Sequence, residues 1–179
     1  IQSKTGKQMN RRQFLIAGAG ITVAAAAGLE LGSRGFEAHW DALIEQLQWL
    51  QNKELTSSGS WNPSQVFQHL AQSVQGSFQG YPEHKAAWFT HSIGPVALKA
   101  FKTAGAMHHP LDEVIPGMPQ LDATIPTQQA LQSLLQALEQ FTQSTTLTPH
   151  FAYGVLNHQD YQAAHVMHIR QHLQHIQSS

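Results

Sequence analysis

The sequence predicts an all-α fold, a four-helix bundle. Four segments repeat apolar residues at spacings of three and four, almost nothing alternates with period two, and helix-start signals stand in front of the best segments. The first segment is about Gly35 to Lys53, with Phe36, Trp40, Leu43, Ile44, Leu47 and Leu50 on one face. The run Thr56 to Ser60 then breaks the chain. In the second, Asn62 is placed to cap and Pro63 to open the helix, where its missing N–H costs nothing. Val66, Phe67, Leu70, Val74 and Phe78 form its apolar face, and Gly80-Tyr81-Pro82 ends it. The third runs from about Thr127 to Thr142, carrying Leu131, Leu134, Leu138 and Phe141. The fourth runs from about His158 to Gln177. Asn157 is its expected cap, and Asp160 makes a partial capping box.

Between the second and third helices lies an insertion, about Glu83 to Ile125. Gly94-Pro95 predicts a bent or interrupted helix within it. Pro110, Pro116, Pro119 and Pro126 predict an ordered, irregular loop after it.

The first 34 residues form a separate unit. Lys4, Lys7, Arg11 and Arg12 precede "FLIAGAGITVAAAAGL", an apolar run of 16 residues from Phe14 to Leu29. A membrane-spanning helix needs about 20 apolar residues. A basic start, a moderate apolar run and small residues at Ala25, Ala26 and Ala27 read instead as an export signal. "NRRQFLI" resembles the twin-arginine motif, with Asn10 where Ser or Thr is usual and Ile16 where Lys is frequent. The expectation is a signal peptide or uncleaved anchor over residues 1–34 and one helical domain over 35–179. The location would be the periplasm or the periplasmic face of the inner membrane, and the twin-arginine translocase a partner during export. That route carries folded proteins, often with a cofactor in place.

Composition narrows the chemistry. The 179 residues are 41% hydrophobic but only 12% charged, about half the usual charged share. The net charge of −1 gives no reason to expect nucleic acid as a partner. Twelve histidines and no cysteine mean that a transition metal would be held by His, with Asp, Glu or water. Thiolate sites, disulfides and Cys nucleophiles are excluded. A P-loop, a dinucleotide fingerprint and a diagnostic Ser/His/Asp spacing are absent.

His165, His168, His172 and His175 all lie on the fourth helix. His168 and His172, four apart, share a face and can offer two imidazoles to one ion. His165 and His175 each lie three residues from one of them, so spacing alone is ambiguous. A solvated helix end that complements the dipole is the plain alternative. The stripe Tyr161, Ala164, His165, His168, Ile169, His172 and Ile176 places the i, i+4 pair near its middle, facing the bundle interior. His69, among Phe67, Leu70 and Val74 on the second helix, would make a third nitrogen ligand, leaving a fourth position for water.

These residues resemble the DinB-like metal-binding four-helix bundles, whose ligands are a His on the second helix and H-x3-H on the fourth. The segment Trp61 to Ser73, "WNPSQVFQHLAQS", is similar to the second-helix signature of an uncharacterised branch of that superfamily. "HFAYGVLNHQDY", His150 to Tyr161, is similar to that branch's loop into the fourth helix. The branch usually has Trp where Tyr161 stands and His where Gln171 stands. The resemblance covers about Gly35 to Gln177 and implies His69, His168 and His172 as ligands. It also implies frequent homodimers, and thiol-dependent transferases and isomerases among relatives.

Three imidazoles and a water suit Zn²⁺ or Ni²⁺, with Fe²⁺ as the alternative. A metal-dependent hydrolase or a thiol-transferase-like enzyme is the catalytic reading. Thiol chemistry of that kind is cytosolic, which sits poorly with export. A non-catalytic accessory subunit of an inner-membrane complex, anchored by its N-terminal helix and docking through the insertion, is the alternative reading. His150 is a candidate partner of the ligands, and His108 and His109 lie on the loop expected to cover the metal mouth. His39, His84, His91 and His158 read as surface or packing residues. Asp112, Glu113 and Asp122 are the carboxylates best placed to border the site.

Overall fold

The computed structural model describes residues 39–179. The export signal or anchor expected over residues 1–34 lies outside the described residues, as do residues 35–38 of the expected first helix. Among the described residues the fold is mainly helical: α1 (Trp40–Trp49), α2 (Pro63–Gln79), α3 (Gly94–Ala104), α4 (Thr127–Gln143) and α5 (His158–Leu173). Two short strands, β1 (Leu55–Ser57) and β2 (Ile176–Ser178), pair antiparallel with Leu55 opposite Ser178. No helix among the described residues is long and apolar enough to cross a membrane.

α2 starts where Asn62 and Pro63 predict. Asn62 Oδ1 accepts from the Gln65 N–H at 2.9 Å, and Gln65 Oε1 accepts from the Asn62 N–H at 3.1 Å. This reciprocal box satisfies one donor inside the first turn and one at the cap itself. α1 stops earlier than its pattern suggests, because Asn52 takes a left-handed conformation (φ 64°) that turns the chain into β1.

α2 and α4 pack along their lengths, and α1 and α5 close over them. Leu43, Leu47, Phe67, Leu70, Leu131, Leu134, Leu138, Phe141 and Ile169 meet in the main core. α5 is buried on more than one side. Tyr161, Val166 and Ile169 face the main core, while Ala163, Ala164 and Met167 pack with Leu98 of α3 and Met107. A helix so enclosed needs no single apolar stripe, which is why its polar sequence can still sit inside.

The insertion is interrupted as Gly94-Pro95 suggests: one π-helical turn (Phe89–Ile93) runs into α3. A Cβ on Gly94 would lie 2.0 Å from the Ala152 carbonyl oxygen, so only glycine lets α3 approach the 150–154 loop this closely. Two expectations at the C-terminal end need correcting. α5 ends at Leu173, four residues early, because β2 takes the following segment and Ile176 packs against the core from a strand. Asn157 does cap α5, accepting from the Asp160 N–H at 2.8 Å, but the Asp160 carboxylate pairs with Lys102 of α3.

Candidate metal centre

α2 presents His69 to α5, which presents His168 and His172 one helical turn apart. Their ring centroids form a nearly equilateral triangle: 5.0 Å from His69 to each of the others and 4.9 Å between His168 and His172. Each offers a nitrogen, and the three nitrogens lie within 4.8 Å of one another. His69 and His172 are buried; His168 is half-buried as a residue, with its imidazole enclosed beside theirs.

The protonation states favour ligation. Burial, then the neighbouring His172 and His109, pushes the His69 imidazole down to about 3. Burial, then His109 and His175, does the same to His172. Burial and then the surrounding imidazoles, His69 first, hold His168 well below its ordinary value. All three are neutral at pH 7 and carry a lone pair.

The hydrogen-bond inventory is incomplete without a further partner. His69 Nδ1 and His172 Nε2 are buried with no hydrogen-bond partner. A buried polar atom left unpaired costs about 1–3 kcal/mol. His69 Nε2 and His168 Nε2 lie 3.1 Å apart. Two nitrogens bound at 2.0–2.1 Å to one tetrahedral ion would be separated by about 3.3 Å. His168 Nδ1 lies 3.2 Å from Ser73 Oγ, one turn beyond His69 on α2. Such an outer contact orients a ligating imidazole and leaves Nε2 for the ion. The residues therefore fit a metal ion.

The Pro-rich loop folds over this end of the molecule. Gln72 Nε2 donates to the Pro119 carbonyl at 2.9 Å, and Gln68 exchanges two hydrogen bonds with the Asp122 backbone. Gln171 Nε2 donates to the His109 carbonyl at 2.7 Å. His109 thus comes within 4.8 Å of the His168 ring and 5.5 Å of the His172 ring, centroid to centroid, while His108 stays exposed. Glutamine carries no chemical signature: Gln68 and Gln72 gave no signal in the sequence, and Gln171 stood out only as the position where the resembled branch usually has His.

Beside the imidazoles lies a cavity of about 240 Å³. Its walls are mainly apolar, from Phe89, Phe101, Met107 and Phe151. His69, Ser73, His109 and His168 line it on the metal side. Exposed Lys85 and Glu113, 3.8 Å apart, also border it. Glu113 is therefore the one of the three candidate carboxylates that lines the cavity. Asp112 accepts from Ser60, and Asp122 is committed to Thr124.

The other histidines separate clearly. His165 is buried on the cavity wall, stacked on Tyr161, with an unpartnered Nε2. His175 lies beyond α5 with Nδ1 3.1 Å from Ser58 Oγ. His150, a candidate partner of the ligands, lines the same cavity. Its Nδ1 accepts from the Ala152 and Tyr153 N–H groups rather than supporting a ligand. His158 stacks on Phe141, and His39, His84 and His91 are exposed.

A family profile described as "Protein of unknown function (DUF1569)" matches residues 35–179. No curated protein matches the chain, and no solved structure matches it either.

Proposed function

The chain belongs to the DUF1569 family, and from that premise we propose that it is an exported, divalent-metal-binding protein of DinB-like four-helix architecture. In this reading α1, α2, α4 and α5 are the four main helices and α3 belongs to the insertion. The ion, Zn²⁺ or Ni²⁺ by preference, is held by His69, His168 and His172. The observation that carries this is the convergence of three neutral imidazoles, with His69 Nε2 3.1 Å from His168 Nε2 and His172 Nε2 buried beside them without a partner.

The ion would supply Lewis acidity, lowering the pKa of a bound water or holding a substrate thiolate. The chain's own residues do the rest. Ser73 orients His168, the glutamines hold the covering loop, and the apolar cavity receives a small substrate and excludes water around it. That combination supports a metal-dependent hydrolase or thiol-transferase-like enzyme. Arg11 and Arg12 support export.

Metal analysis of protein purified without a His tag tests the centre. About one equivalent is expected, and His69→Ala should remove it. Less than about one ion per ten chains, unchanged by His69→Ala, would refute the reading. Activity is tested by hydrolase substrates and by a panel of thiols and electrophiles, comparing wild type with His172→Ala.

A second reading is a non-catalytic accessory subunit of a membrane complex. It is favoured by exposed Trp88, Ile93 and Val96, clustered in sequence on the insertion. Co-purification in mild detergent with one fixed partner, abolished by Trp88→Ser, would support it over catalysis.

A further inference from the structure

We infer that His109 is a fourth protein ligand, carried to the three-imidazole centre by the Pro-rich loop; this rests on the metal reading above. Its ring centroid stands 4.8 Å from His168 and 5.5 Å from His172, at the edge of a trio whose own centroids are 4.9–5.0 Å apart and whose three nitrogens alone lie within 4.8 Å of one another, so ligation draws His109 inward. Its Nδ1 lies 2.7 Å from the Pro110 carbonyl oxygen. A carbonyl can only accept, so Nδ1 carries the proton and donates. Nε2 is left with the bare lone pair that a metal requires. This is the outer-partner arrangement that ligating histidines use to fix tautomer and ring orientation.

The placement of the residue has a cause. The Gln171 side chain, adjacent to ligand His172, holds the His109 carbonyl. Gln68 and Gln72 hold the same loop further along, from the helix that carries His69. The loop is thus tied to both ligand-bearing helices, and His109 also lines the cavity. Four imidazoles fill the positions of a tetrahedral ion. A molecule in the cavity then reaches the ion either as a fifth ligand or by displacing His109.

The test uses Co²⁺ as a spectroscopic probe on the full chain, titrated into wild type, His109→Ala, His109→Asp, His108→Ala and His69→Ala. His109→Ala should shift the visible absorption bands and weaken Co²⁺ binding by at least about 10-fold, the lower end of what even an outer-shell contact costs. His109→Asp, which restores a ligand atom, should recover most of the affinity. His108→Ala should match wild type. A His109→Ala protein with wild-type spectrum and affinity, alongside His69→Ala that no longer binds, would overturn the fourth ligand and leave the trio standing. A wild-type chain that binds no Co²⁺ would overturn both. Should His109→Ala fail to fold, His109→Gln carries the same comparison: altered bands support the inference and unaltered bands overturn it.

Discussion

The metal-free protein should be acid-labile well above the pH at which carboxylates titrate. Consider His69, His165 and His172, each buried and each pushed down to about 3, with burial the first cause in every case. In the unfolded chain each returns to about 6.5. The sign follows directly. Between pH 6.5 and about 3 the unfolded chain binds a proton at these sites and the folded chain does not, so acid favours unfolding. Above pH 6.5 both states are neutral and the contribution is complete. At pH 5.5 each group removes roughly 1.4 kcal/mol, and the three together roughly 4 kcal/mol. A domain's whole stability is about 5–15 kcal/mol. His150 and His168, also held well below their ordinary values, add in the same direction. The assay is urea unfolding followed by circular dichroism, in a chelator, from about pH 7.5 down to 5. His165→Phe should reduce the slope by about 1.4 kcal/mol per pH unit. A stability flat from pH 7.5 to 5, or a slope unchanged in His165→Phe, would refute the reasoning.

Other outcomes follow from the same geometry. Ser73→Ala removes the hydroxyl beside His168 Nδ1 and should weaken Zn²⁺ binding about 10–100-fold in a competitive chelator titration, with the fold retained. Gly94→Ala puts a methyl 2.0 Å from the Ala152 carbonyl and should cost roughly 2–4 kcal/mol; an unchanged thermal melt would contradict the close approach of α3 to that loop. Saturating Zn²⁺ at about 100 times Kd should stabilise the wild type by about 2.7 kcal/mol, and His172→Ala should lose that gain.

Much of this molecule is local and therefore legible in the chain itself. Helix geometry alone puts His168 and His172 on one face, whatever surrounds them. The Asn62-Pro63 start needs only the residues beside it, and Gln65 completes it. Apolar spacing located α4 to within a residue of its observed end. Other features depend on distant contacts and left little sequence signal. A three-residue strand is too short to show a period, and β1–β2 pairing joins residues more than a hundred positions apart. α5 is enclosed on several sides, so its stripe could not rank His165 against its neighbours. Packing placed His165 on the cavity wall.

What the sequence determined by itself is the helical class, the paired histidines and the chemistry open to a chain rich in imidazole and free of thiol. His69 was already expected as the third ligand, and the tertiary structure brings it to that pair across two helices; only the tertiary structure decided that glutamines draw a proline-rich loop over them and bring His109 beside them. The physical reason is reach. Backbone geometry dictates which residues share a turn, whereas the meeting of residues 40 to 100 positions apart depends on how the whole core closes around them.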